Sequence, residues 1–131
     1  MTLLDTHVLV WAVTEPRRLS RTAAAAIRRA RRGDGLAIAA ISLWELAVLL
    51  ARGHLRAGGT VEASVRLIVD SAGVSVKALT PEIAALATQF PEEYPRDPAD
   101  RLIGATARAE GLTLVTRDEG IRRSPLIKTV W

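Results

Sequence analysis

Five short apolar runs, at residues 1–4, 36–41, 74–79, 112–115 and 127–130, divide the chain at fairly even spacing. Between them lie longer stretches with helix-boundary signals. Ser20 can cap a helix to residue 32, favoured by the alanine block 23–26. Ser42 opens a second helix through residue 52, ended by Gly53, and a third occupies 60–71. Thr80-Pro81 and Asp97-Pro98 each place a capping side chain before a proline at the first helical position. The helix after Asp97 runs to residue 110 and stops at Gly111, and 118–123 is a short turn or helix. Apolar strands separated by helices predict a parallel sheet covered on both faces, in one domain spanning 1–131. The apolar segment 7–13 ends at Glu15-Pro16, and no run is long enough to cross a bilayer.

Four acids recur at one kind of place in this pattern. Asp5 follows the first strand, Glu45 lies just inside the helix after the second, Asp100 opens the helix after Asp97, and Asp118 follows the fourth strand. Each has a purely structural reading. Asp5 and Asp118 can cap the turns behind them. Ser42 and Glu45 match a capping box, and Asp100 complements a helix dipole. Independent caps, however, need not fall at the same end of every strand–helix unit. In an open parallel sheet that end forms the binding crevice. Carboxylates gathered there repel unless cations hold them, and hard oxygen donors favour Mg²⁺, with Mn²⁺ able to substitute.

Composition narrows the choice further. The 131 residues contain no cysteine, which excludes disulfides, thiolate metal sites and a cysteine nucleophile, and fits a reducing cytoplasm. Asp5 and His7 interrupt the apolar start, so no signal peptide is expected. The net charge is +4, with 18 basic residues against 14 acids, and only Lys77 and Lys128 are lysines. If four acids are withdrawn into a metal pocket, the outer surface becomes more basic still. That favours a polyanionic partner, nucleic acid first. Seven arginines between Arg17 and Arg32, with no acid among them, form either a solvated helix face, an RNA track or ground for an acidic partner segment.

The stretches Leu3-Leu-Asp5-Thr6-His7, Ile41-Ser42-Leu-Trp44-Glu45-Leu-Ala, Arg96-Asp97-Pro-Ala-Asp100-Arg101-Leu-Ile-Gly-Ala-Thr-Ala107 and Leu114-Val-Thr116-Arg-Asp118 occur in that order. Together they resemble the PIN-domain family, and within it the VapC-like toxin ribonucleases of toxin–antitoxin pairs. The resemblance implies a three-layer α/β/α fold with a central, mainly parallel five-stranded sheet. It implies that Asp5, Glu45, Asp100 and Asp118 form a metal-binding catalytic quartet. Thr116, Asp97, Thr6 and Ser42 would support it; Arg101 and Arg117, the arginines nearest the expected pocket, are the candidates for contact with RNA. Relatives commonly carry a basic residue a turn after the second acid, where this chain has Val48, Leu49 and Leu50. The implied activity is Mg²⁺-dependent cleavage of RNA, with a small antitoxin as partner and a homodimer as the assembly. The apolar stretch 43–50 offers part of such an interface.

His7 is expected to point away from the site if the first strand continues, and Trp11 and Trp44 are expected in the core or an interface. Other small folds with an acidic pocket fit less well. A receiver-type phospho-signalling domain wants a second acid beside Asp5 and an acceptor near Leu79, and a phosphatase with an aspartyl nucleophile also needs a second acid near Asp5. A catalytically silent PIN-like binding module would not need all four acids.

Overall fold

The computed structural model describes residues 1–56 and 58–131. Its elements run Thr2–Leu4 (β1), Thr6–Thr14 (α1), a 3-10 turn at Pro16–Arg18, Arg21–Arg32 (α2), Leu36–Ala39 (β2), Ile41–Ala51 (α3) and Val61–Ala72 (α4). They continue with Val74–Lys77 (β3), Pro81–Ala87 (α5), Pro98–Glu110 (α6), Thr113–Val115 (β4), Glu119–Arg122 (α7) and Thr129–Val130 (β5). The strands form one sheet in the order β3-β2-β1-β4-β5, and every pairing is parallel.

Alternation along each strand builds the layers. Leu4, Leu36, Ile38 and Val115 face a core shared with α1, α2 and α4, while Leu3, Ala37, Ala39 and Leu114 face one shared with α5, α6 and α7. β3 departs from the expected burial on both faces. It is an edge strand, and Ser75 and Val76 are exposed. Among the described residues, no helix is long and apolar enough to cross a membrane.

Most helix starts follow local chemistry. Ser20, Thr60 and Thr80 each accept a hydrogen bond from the amide three residues on, a contact worth about 1 kcal/mol. The second strand is the exception. It ends at Ala39 rather than Ile41, Ala40 is already helical, and α3 starts without a side-chain cap. The capping box read at Ser42 and Glu45 therefore does not form. Ser42 lies inside the helix, buried, with its hydroxyl 2.7 Å from that of Thr6.

α6 is seated by Tyr94. The ring is buried, stacks on Phe90 with centroids 4.0 Å apart, and donates its hydroxyl to the Asp100 carbonyl at 2.7 Å. Gly104, one turn along α6, makes room for that ring. A Cβ there would collide with the Tyr94 hydroxyl and stand 2.8 Å from Ile127 Cδ1. Alanine gains up to about 1 kcal/mol in helix propensity, while overpacking costs about 1–3 kcal/mol. Gly104→Ala should thus lower the melting temperature by several degrees. A melting temperature at or above the parent's would mean that the ring yields without cost.

Candidate active site

The strand order reverses at β1, which lies between β2 and β4, and the crevice at the C-terminal ends of β1 and β4 is the natural pocket of such a sheet. The Asp5 amide donates to Val115 O at 3.0 Å across that seam. A cavity of about 450 Å³ opens there, lined by Asp5, Glu45, Asp97, Asp100, Asp118 and Arg117 among others. The four acids singled out in the sequence therefore share one cavity, and Asp97 joins them.

Asp5, Asp97, Asp100 and Asp118 reach the cavity from helix starts and Glu45 from the second turn of α3, and three of the five are also caps. Asp5 is only 9% exposed. Its Oδ1 accepts the Thr6 amide at 2.8 Å, capping α1, and its Oδ2 accepts the Thr116 hydroxyl at 2.7 Å. Asp97 caps α6 through the Ala99 amide, with Asp100 in the first turn of that helix. Asp118 caps α7 through the Ile121 amide, and its own amide donates to Thr116 Oγ1. Glu45 caps nothing. It accepts the Thr6 hydroxyl, which is also in contact with Ser42. The structural and functional readings of Asp5, Asp97 and Asp118 are thus compatible, because the positive end of a helix steadies a carboxylate at the crevice.

The electrostatic consequence is mutual repulsion in a partly dry site. Burial first, then the neighbouring acids, pushes the Asp100 carboxyl up to about 7. Burial also raises Asp5 and Glu45, against the lowering effect of their hydrogen bonds. Among the described residues, no three acidic or histidine groups close around one point as a formed ligand cluster. The donor chemistry nevertheless suits a hard divalent cation. It consists of carboxylate oxygens with lone pairs left over, in one cavity, of which Asp5, Glu45 and Asp100 are made costly to ionise by burial and by neighbouring acids.

Other expected residues fall differently. His7 is on α1, because β1 stops at Leu4, and it lines the cavity instead of pointing elsewhere. Arg117 lines the cavity, but Arg101 does not; its Nε donates to Pro95 O at 3.0 Å and ties α6 to the preceding loop. Trp11 is buried as expected yet also borders the cavity, whereas Trp44 is 63% exposed. Tyr94 escaped the sequence reading, since no local pattern pairs it with α6.

The family model described as "PIN domain" matches residues 2–125. The chain belongs to the PIN domain family. It is 43% identical over 131 residues to Ribonuclease VapC22 of Mycobacterium tuberculosis, covering 98% of this chain and 97% of that protein. Solved structures share the PIN fold at lower identity. VapBC2 from Rickettsia felis, bound to a promoter DNA fragment, superposes with a TM-score of 0.73 at 17% identity, covering 98% of this chain and 96% of that one. DNA-bound VapBC from Salmonella typhimurium gives a TM-score of 0.70 at 21% identity, covering 98% and 97%.

The raised carboxyl groups of this PIN domain predict how stability follows pH. A group whose folded-state pKa lies above its unfolded value favours the fold below the unfolded pKa, and that contribution is lost as pH rises through the folded pKa. For Asp100 the window runs from about 3.8 to about 7. Without divalent cations, Asp100→Asn should flatten the pH dependence of the melting temperature across that window. Parallel curves for variant and parent would mean that Asp100 is not strained in the folded protein.

Proposed function

We propose that this PIN domain is a Mg²⁺-dependent endoribonuclease and the toxin of a toxin–antitoxin pair. One observation carries the reading: Asp5, Glu45, Asp100 and Asp118 line a single cavity at the β1–β4 seam. Two comparisons support the finer parts of it. The chain is 43% identical to a protein named a ribonuclease, and several structures sharing its fold are toxin–antitoxin complexes by name.

These four carboxylates would hold the cation, with Mn²⁺ able to replace Mg²⁺. Once bound, it would offset their charge, lower the pKa of a bound water and stabilise the departing alkoxide. The chain's own groups set the geometry. Thr6 N–H and the Thr116 hydroxyl fix both oxygens of Asp5, and the Thr6 hydroxyl orients Glu45. Tyr94 anchors the backbone at Asp100. The exposed Arg117 guanidinium at the cavity wall suits a non-bridging phosphate oxygen of the RNA. The antitoxin would act by covering this cavity.

Asp5→Asn retains a side-chain oxygen for the Thr6 amide, so the fold should survive while metal-dependent cleavage of structured RNA falls by about a hundred-fold or more, the scale of losing a charge-stabilising group. Undiminished cleavage by that variant would remove Asp5 from the catalytic set.

We assign the homodimer contact to the apolar face between α3 and α4, where Leu43, Trp44, Ala47 and Val65 line a groove and Trp44 stands exposed. Trp44→Glu should then sediment as a monomer, and an unchanged dimer would place the contact elsewhere.

A further inference from the structure

The acidic cavity is not the largest hollow near the seam. A second, of about 630 Å³, lies between α2, α7 and the end of β5, lined by Thr22, Arg122, Arg123, Thr129 and Trp131, with Glu119. Glu119 lines both cavities, so they adjoin. An aromatic wall also links them. Trp11, which borders the acidic cavity, packs on Trp131 of the second one with ring centroids 5.9 Å apart. Guanidinium groups flank that wall: Arg18 lies 4.4 Å and Arg117 5.9 Å from the Trp11 ring centroid, both within cation–π range.

Resting on the ribonuclease reading, we propose that this second cavity binds the RNA nucleotide flanking the cleaved phosphodiester. Arg122 and Arg123 receive its phosphate, and Trp131 meets its base. Both arginines are exposed, and Arg123 spends only its Nε, on the Glu119 carbonyl. Among the side chains that line the cavity, two guanidinium groups stand beside the one carboxylate of Glu119. An aromatic plane beside cationic guanidinium groups is the arrangement that holds single-stranded nucleic acid without reading its sequence. An acidic peptide would satisfy the arginines but has no group that calls for Trp131. Contiguity with the acidic cavity gives a strand crossing the seam a direct path into this one.

The test uses the full chain carrying Asp5→Asn, with Mg²⁺, and fluorescence anisotropy of labelled mixed-sequence oligoribonucleotides of about four and about twelve nucleotides. The added pair Arg122→Gln and Arg123→Gln should weaken binding of the longer oligomer roughly ten-fold and lower its salt dependence, with the shorter one little changed. A control pair just past the end of α3, Arg52→Gln and Arg56→Gln, removes the same charge and should leave the longer oligomer's affinity near the parent value. Three outcomes overturn the proposal: unaltered binding of the longer oligomer by the Arg122/Arg123 variant, an equal loss in the control, or a loss confined to a labelled aspartate- and glutamate-rich peptide. If the unsubstituted chain cuts RNA but its Asp5→Asn form does not favour the longer oligomer, the second cavity alone is at fault. If the unsubstituted chain neither cuts nor binds RNA, the ribonuclease reading falls with it.

Discussion

Asp5 holds three kinds of connection at once. Its amide bridges β1 to β4 through Val115, one side-chain oxygen starts α1, and the other receives Thr116 from the far strand. A buried carboxylate pays a large desolvation cost unless donors meet it. Here the donors come from the strand junction itself, so the charge can persist only where β1, α1 and β4 meet. The neighbouring acids are then brought in by helices that begin at the same rim. Their repulsion is the unresolved stress in an otherwise well-satisfied structure, in which no buried side-chain polar atom among the described residues lacks a partner.

That arrangement explains how fold and chemistry share residues. An acid at a helix start is favourable for the helix and, where the helix starts at the β1–β4 seam, also faces the crevice. The layers place α1 and α6 on opposite faces of the sheet, yet both start toward the seam. Tyr94 and Gly104 matter for the same reason. They set the height of α6 and therefore where Asp100 stands.

Much of this was legible because its causes are local. Ser20, Thr60, Thr80-Pro81, Asp97-Pro98 and Gly111 act within a few residues of the boundaries they mark, and the five apolar runs sit where the five strands form. The repetition of acids after strands likewise pointed to one cavity. What the sequence misled on depends on contacts across the fold. Ser42 and Glu45 carry a capping pattern, but the early helical turn at Ala40 moves Ser42 inside α3 and gives both side chains to Thr6. Arg101 was expected at the substrate, but its Nε ties it to Pro95 and it does not line the cavity, while His7 turned toward the cavity because β1 is only three residues long. The approach of Trp131 to Trp11 joins opposite ends of the chain and leaves no trace in local spacing.

The double duty of these acids also shapes which positions around the cavity can change without loosening the fold. Replacing Asp5, Asp97 or Asp118 with a small apolar residue would strip a cap worth about 1 kcal/mol as well as a charge, so a change in the cavity there comes bundled with a looser fold. Glu45 is different. It holds no helix terminus and answers only to a threonine hydroxyl, while removing it would relieve repulsion on Asp100. Asp100, whose side chain caps no helix and whose carboxyl is itself pushed up by burial and by its neighbours, shares that freedom, so of the quartet it is Asp5 and Asp118 whose identity the helices themselves enforce.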